Sequence, residues 1–251
     1  MELFKSSSKF SKKQIILLSI PVFFSNMAIP LVGMVDTGLM GNLSETKYLA
    51  ATSIATSVMT MIVWSFGFLR MGTVGIVAQA YGRSDYREIV KTILRNIVLA
   101  LIAAFIIIIF FPALKIAISY FFSPSDETEV LIKTYLNVRI FSIPAELIIY
   151  VLVGFYLGIQ KTKISSFLII VLSSLYIIFS SLLVLTYDLK VFGVALGTLI
   201  SSYITLIIFT LFTYNYIIQK FKVIPKFENL VVRSKLLKLL NINLDIFIRT
   251  L

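Results

Sequence analysis

The sequence predicts an all-α integral membrane protein, a bundle of six transmembrane helices with its N-terminus in the cytoplasm. Three observations carry this. Of the 251 residues, 59% are hydrophobic and only 14% are charged, against about 25% charged in a soluble domain. Mean hydropathy is +0.97. Six apolar stretches follow one another, each near or above the ~20 residues a helix needs to cross a bilayer.

The stretches are 15–40, 49–80, 89–111, 135–159, 164–186 and 192–218. Residues 1–14 read as a cytoplasmic segment. Lys5, Lys9, Lys12 and Lys13 resemble the basic region of a signal peptide, but the apolar run that follows is too long and has no small-residue cleavage site before the next charge. The second stretch is longer than a crossing requires, and Gly72 and Gly75 are its expected points of bending. Tyr81-Gly82-Arg83-Ser84-Asp85 turns the chain between stretches two and three, and Gly158-Ile159-Gln160-Lys161 turns it between four and five. Ser123-Pro124-Ser125-Asp126 reads as a helix stop followed by the N-cap of an acidic first turn. Residues 219–240 form a basic connector with alternating apolar positions, suited to a surface of anionic headgroups.

Orientation follows from the basic residues. With the N-terminus inside, the cytoplasmic regions collect Arg83, Arg87, Lys91, Arg95, Lys161, Lys163, Lys220 and Lys222 beside the N-terminal lysines. The outer loops hold only Lys47, Lys115, Lys133 and Lys190, together with Glu45, Asp126, Glu127, Glu129 and Asp188. The formal charge of +11 therefore reads as cytoplasmic loop charge and not as a nucleic-acid footprint.

The chain has no cysteine and no histidine. That removes disulfides, thiolates and the commonest general base. No metal cluster, nucleophile–base pair or nucleotide loop is present, so the sequence does not read as an enzyme. Gly72-x-x-Gly75 lacks the strand that a phosphate loop needs.

Four charged residues fall inside the stretches: Asp36, Arg70, Arg139 and Glu146. A charge at membrane depth costs about 2.5–3.5 kcal/mol on insertion scales, so such groups default to a functional reading. Asp36 falls in the outer third of the first stretch, which also carries Pro21 and Pro30. Proline frees a backbone carbonyl and bends a helix, which membrane helices tolerate beside a polar cavity. Asp36 could exchange a proton or hold Na⁺; the competing reading is a structural acid paired with a buried donor. Arg139 and Glu146 lie on one helix face about two turns apart and need not touch. They read as a charge-neutralising pair, with Pro144 kinking the helix between them. Arg70 and Gln79 read as residues that pin helix ends. Asn26, Asn137, Ser173, Ser174, Ser180 and Ser181 read as interhelical hydrogen bonders, and Gly193-x-x-x-Gly197 as close helix packing.

Several runs resemble the multidrug and toxic compound extrusion (MATE) family, in its DinF-like branch. Ser19-Ile20-Pro21 and Pro30-Leu31-Val32-Gly33-Met34-Val35-Asp36-Thr37-Gly38-Leu39-Met40-Gly41 are similar to its first helix, and Leu49-Ala50-Ala51 to the start of its second. Phe66-Gly67-Phe68-Leu69-Arg70-Met71-Gly72-Thr73 and Ala78-Gln79-Ala80-Tyr81-Gly82 continue the likeness. Arg139 with Pro144 and Gly154, then Gly193-Val194-Ala195-Leu196-Gly197-Thr198, and finally Asp245-Ile246-Phe247-Ile248-Arg249-Thr250-Leu251 extend it.

The resemblance implies one lobe, residues 15–218, of a twelve-helix, multi-pass export carrier in a bacterial plasma membrane. Residues 241–251 would open a seventh helix, and a C-terminal lobe or second chain would complete the carrier. It implies H⁺ or Na⁺ as coupling ion, Asp36 as the coupling residue, and small organic compounds, often cationic, as substrates. Relatives carry Asn and Asp in the fifth helix where this chain has Tyr176 and Ser180, which predicts fewer polar partners for Asp36. Two alternatives stand beside this reading: a lipid-linked-sugar flippase of the same superfamily, and a non-transporting fragment or half-lobe that needs a partner.

Overall fold

A computed structural model describes residues 12–43 and 45–223. The expected connector beyond residue 223, the seventh-helix start and residues 1–11 lie outside the described residues. Among the described residues eight α-helices form six traverses: α1 (Lys12–Gly41), α2 (Thr46–Ser65) with α3 (Gly67–Gly82), α4 (Tyr86–Phe122), α5 (Asp126–Arg139) with α6 (Ile143–Gly158), α7 (Thr162–Leu185) and α8 (Lys190–Tyr216). Five segments are long and apolar enough to cross a membrane: Thr46–Gly82, Tyr86–Phe122, Asp126–Gly158, Thr162–Leu185 and Lys190–Phe221. The thirty-residue α1 completes the bundle.

Two traverses are broken helices. The second breaks at Phe66 (φ −92°, ψ 11°), ahead of Gly67, and not at Gly72 or Gly75 as expected. Gly72 is instead buried inside a continuous α3. The reason is packing: α3 lies so close to α6 that a methyl on Gly154 would sit 2.7 Å from the Arg70 carbonyl and 2.8 Å from Thr73 Cβ. The fourth traverse breaks at a 3₁₀ turn, Ile140–Ser142, and Pro144 enters in the first turn of α6. Proline is tolerated there because its missing N–H would have no helical partner.

The third traverse runs eleven residues past the expected end at Phe111, through Pro112 to Phe122. At ~1.5 Å per residue its 37 residues span about 55 Å, longer than a bilayer is thick. Ser123 stops it in the left-handed region (φ 39°), and α5 starts beside it with Asp126, Glu127 and Glu129 in its first turn. Ser125 stands at the N-cap as expected, although its hydroxyl turns to Thr128 (2.9 Å). The α4–α5 hairpin is tied by Lys115 to Asn137 (3.1 Å) and Ser119 to Glu129 (2.6 Å). Charged first turns hid the start of α5 from a reading based on apolar runs.

At the end of the bundle where α2 begins, Lys47 joins Glu45 to Glu127 of α5, and Lys190 of α8 donates to the Tyr48 hydroxyl (3.3 Å). The Lys47 ammonium, hydrogen-bonded to Glu45, holds that carboxyl below the usual carboxylate range. At the opposite end Tyr86 stacks on Phe221 (ring centroids 4.7 Å). Arg95, expected among the exposed cytoplasmic charges, is buried in α4 and pairs with Glu88 at 2.9 Å. Between the ends α7 packs along α8 on one side and α1 on the other, while α6 packs against α3 and α4. Outward-facing Phe105, Ile109 and Phe110 on α4 form a lipid-type surface.

Candidate functional site

Asp36 is the one acidic residue of α1. It is buried, 8% exposed, because α1 packs closely on α7 at this depth. From α7 the Tyr176 hydroxyl donates a hydrogen bond to Asp36 Oδ1. Tyr176 was expected to leave Asp36 short of partners; the structure makes it the partner. A phenol on the neighbouring helix reaches where an amide or carboxylate was expected.

Asp36 lines two spaces. One is a cavity of about 250 Å³ between the helices, where Tyr135 and Arg139 of α5, Glu146 and Tyr150 of α6, and Tyr176 surround it. The other is an open groove of about 760 Å³ between α1 and α2, lined by Gly33, Thr52, Ser53, Ser57 and Trp64 among others. Asp36, Thr56, Thr60 and Trp64 belong to both. Thr56 donates to the Tyr135 hydroxyl (3.1 Å) across the boundary. Thr52, Thr56 and Thr60 recur every four residues, so α2 offers the groove a row of hydroxyls.

Arg139 and Glu146 do touch. Both terminal nitrogens of Arg139 engage the Glu146 carboxylate, Nη2 to Oε2 at 3.1 Å, and Nη1 also donates to Ser142. The Ser142 hydroxyl donates to the Arg139 carbonyl (2.6 Å). The long guanidinium side chain spans the two turns across the 3₁₀ break. The pair walls the cavity. Two carboxylates face one guanidinium there, so a hydrogen-bonded ion pair is left with one further acidic group.

The remaining expected residues divide. The Arg70 guanidinium lies 5.7 Å from the centroid of the Tyr150 ring, so it borders the cavity through that ring. Gln79 is exposed on α3, away from both spaces. Pro30 is exposed on α1, which continues as helix through Pro21 and Pro30. The side chains of Pro21 and Asn26 lie outside the described residues. Ser173 lines the cavity, while Ser180 sits against Gly197. Sequence reasoning missed Thr56, Thr60, Tyr135, Tyr150 and Trp64; the four-residue spacing of threonines in α2 was the available signal. Among the described residues no cluster of three acidic or other metal-ligating side chains occurs.

Apolar helices of membrane-crossing length folded around buried charges define a polytopic helical membrane domain. The MatE family profile matches residues 21–182, well over half of the sequence, and the chain belongs to that family, which consists of transporters and not of enzymes. DNA damage-inducible protein F of Escherichia coli (strain K12) is 32% identical over 235 residues, 93% of this chain and 51% of that protein. Multidrug export protein MepA of Staphylococcus aureus (strain N315) is 23% identical over 77% of this chain and 43% of its own length. Among solved structures, a MATE protein in complex with MaD3S superposes with TM-score 0.82 at 21% identity, over 92% of this chain and 51% of that one. A MOP superfamily transporter from Pyrococcus furiosus, described with reversed polarity of its binding pocket, superposes with TM-score 0.81 at 21% identity, over 92% and 50%. The chain thus spans about half the length of these relatives.

Proposed function

We propose that this chain is the cation-coupling lobe of a secondary antiporter that exports small organic compounds across a bacterial plasma membrane. Asp36 is the coupling residue, loaded by H⁺ or Na⁺. The observation that carries the reading is its double placement: one carboxylate, held by Tyr176, lines both the cavity walled by α5 to α8 and the groove between α1 and α2. A cation on Asp36 and a cationic substrate beside it then compete for the same charge. Loading neutralises Asp36, loosens its tie to α7 and allows α1 to adjust at Pro21 and Pro30, which weakens the groove for its occupant. Pro144 sets the entry angle of α6 and so the position of Glu146.

The cavity's charges oppose the flippase alternative. A pyrophosphate head group needs a surplus of cations, whereas here two carboxylates face one arginine. Reconstituted vesicles test the antiport reading: H⁺- or Na⁺-driven efflux of a fluorescent organic cation is expected from the parent and to be lost in Asp36→Asn. Coupled efflux that survives in the mutant removes Asp36 from the mechanism.

A further inference from the structure

Along the interior face of α8, Ser201, Thr205, Phe209 and Thr213 recur every four residues, stacked about 6 Å apart. All four are buried. Three bear hydroxyls and one is a phenylalanine. The row begins in the cavity, where Ser201 and its neighbour Ser202 line the wall with Ser173 and Asp36. The hydroxyls of Ser202 and Thr205, on residues no more than 1% exposed, have no hydrogen-bond partner among the described residues. Leaving such a group unsatisfied costs ~1–3 kcal/mol, and a bound water satisfies it where polar neighbours converge.

At the far end the Thr213 hydroxyl meets the Tyr156 hydroxyl at 2.8 Å, and the Tyr156 carbonyl accepts from the backbone N–H of Lys161 in the turn that follows α6 (2.8 Å). Between Thr205 and Thr213 the seam is apolar. Leu152, Leu168 and Phe209 form an apolar cluster with Ile149, separate from the main core. Ile149 also lines the cavity, so this cluster is its floor.

We propose that this seam is a proton path that Phe209 holds shut. Water bound to the α8 hydroxyls connects Asp36 to the Tyr156–Thr213 pair when the cluster wets, and the apolar phenylalanine prevents leakage in the state described. The step balances: Asp36 gives up one proton, each water or hydroxyl on the path accepts one O–H bond and releases another, and one proton leaves at the basic end. Asp36 is faced by Tyr176 from α7, Tyr135 and Arg139 from α5, and Glu146 and Tyr150 from α6. Between Glu146 and the turn at Lys161 and Lys163, α6, α7 and α8 carry no charged residue to intercept the proton. The proposal rests on Asp36 as coupling residue with H⁺ as its ion.

The test is a gain of function. The chain is reconstituted in liposomes with a pH dye inside, and a potassium diffusion potential drives proton entry. Phe209→Thr completes the hydroxyl row and is expected to raise proton leak about tenfold or more, as a dewetted gate does when made polar. Phe209→Leu keeps the seam apolar and stays at the parental rate. Leu168→Thr opens the same cluster from α7 and is expected to leak too. Adding Asp36→Asn to Phe209→Thr returns the leak to the parental rate. Parental tightness in both threonine variants, with helicity unchanged, overturns the proposal, and so does a leak indifferent to Asp36→Asn. An Asp36-dependent leak beside efflux that ignores Asp36 retains the path and removes the antiport reading alone.

Discussion

A carboxylate inside a bilayer costs about 2.5–3.5 kcal/mol, and a hydrogen bond to a charged group returns ~1.5–3 kcal/mol. The Tyr176–Asp36 contact is therefore large enough to offset most of the burial of Asp36. Tyr176→Phe keeps the ring and removes the bond, so it is expected to destabilise the protein by ~1–3 kcal/mol in detergent thermal denaturation. An unchanged midpoint would show that the phenol does not hold the carboxylate. Asp36, Arg139 and Glu146 were legible in the sequence because intramembrane charge is costly wherever it falls. Tyr176 was not, because its role depends on which residue of α1 faces it, and spacing within α7 does not reveal that. The Arg139–Glu146 contact was missed for a related reason: helix spacing measures Cα positions, whereas a guanidinium reaches along the face.

At the scale of elements, the glycines of the lobe do different work. A methyl added at Gly197 would lie 2.3 Å from Ser180 Oγ and 2.9 Å from Ser180 Cα, so α8 approaches the backbone of α7 closely there. A methyl at Gly38 would meet nothing within 4 Å. Gly197→Leu is expected to cost ~1–3 kcal/mol through overpacking, whereas Gly38→Ala stays within about 1 kcal/mol of the parent; melting midpoints of the two variants separate the effects. The tight approach at Gly197 was legible as Gly193-x-x-x-Gly197. The break at Phe66 was not, because Gly72 lies in the α3 helix packed on α6 and the chain bends a turn and a half earlier. Six traverses were readable from apolar runs, but the extension of α4 and the acidic start of α5 lie beyond the apolar window and are specified by polar ties between the two helices.

At the scale of the molecule, the groove sets the lobe's orientation. Ser53, Ser57 and Thr60 are exposed on it beside Trp64, whereas Phe105, Ile109 and Phe110 are exposed on α4. Hydrocarbon does not satisfy hydroxyls, so the groove faces water or protein and α4 faces lipid. In the proposed mechanism, occupancy of Asp36 by a cation and occupancy of this groove by a ligand exclude one another. Trp64 is the sole tryptophan of the chain, and it lines both spaces, so its emission reports on them directly. The measurement is a titration of Trp64 fluorescence with tetraphenylphosphonium at two proton concentrations and two Na⁺ concentrations. Apparent affinity is expected to fall about tenfold as the coupling ion is raised tenfold through the range where it loads Asp36, and Asp36→Asn is expected to abolish this dependence. Ligand affinity that is the same at every ion concentration in the parent, or equally ion-dependent in Asp36→Asn, would contradict the mechanism.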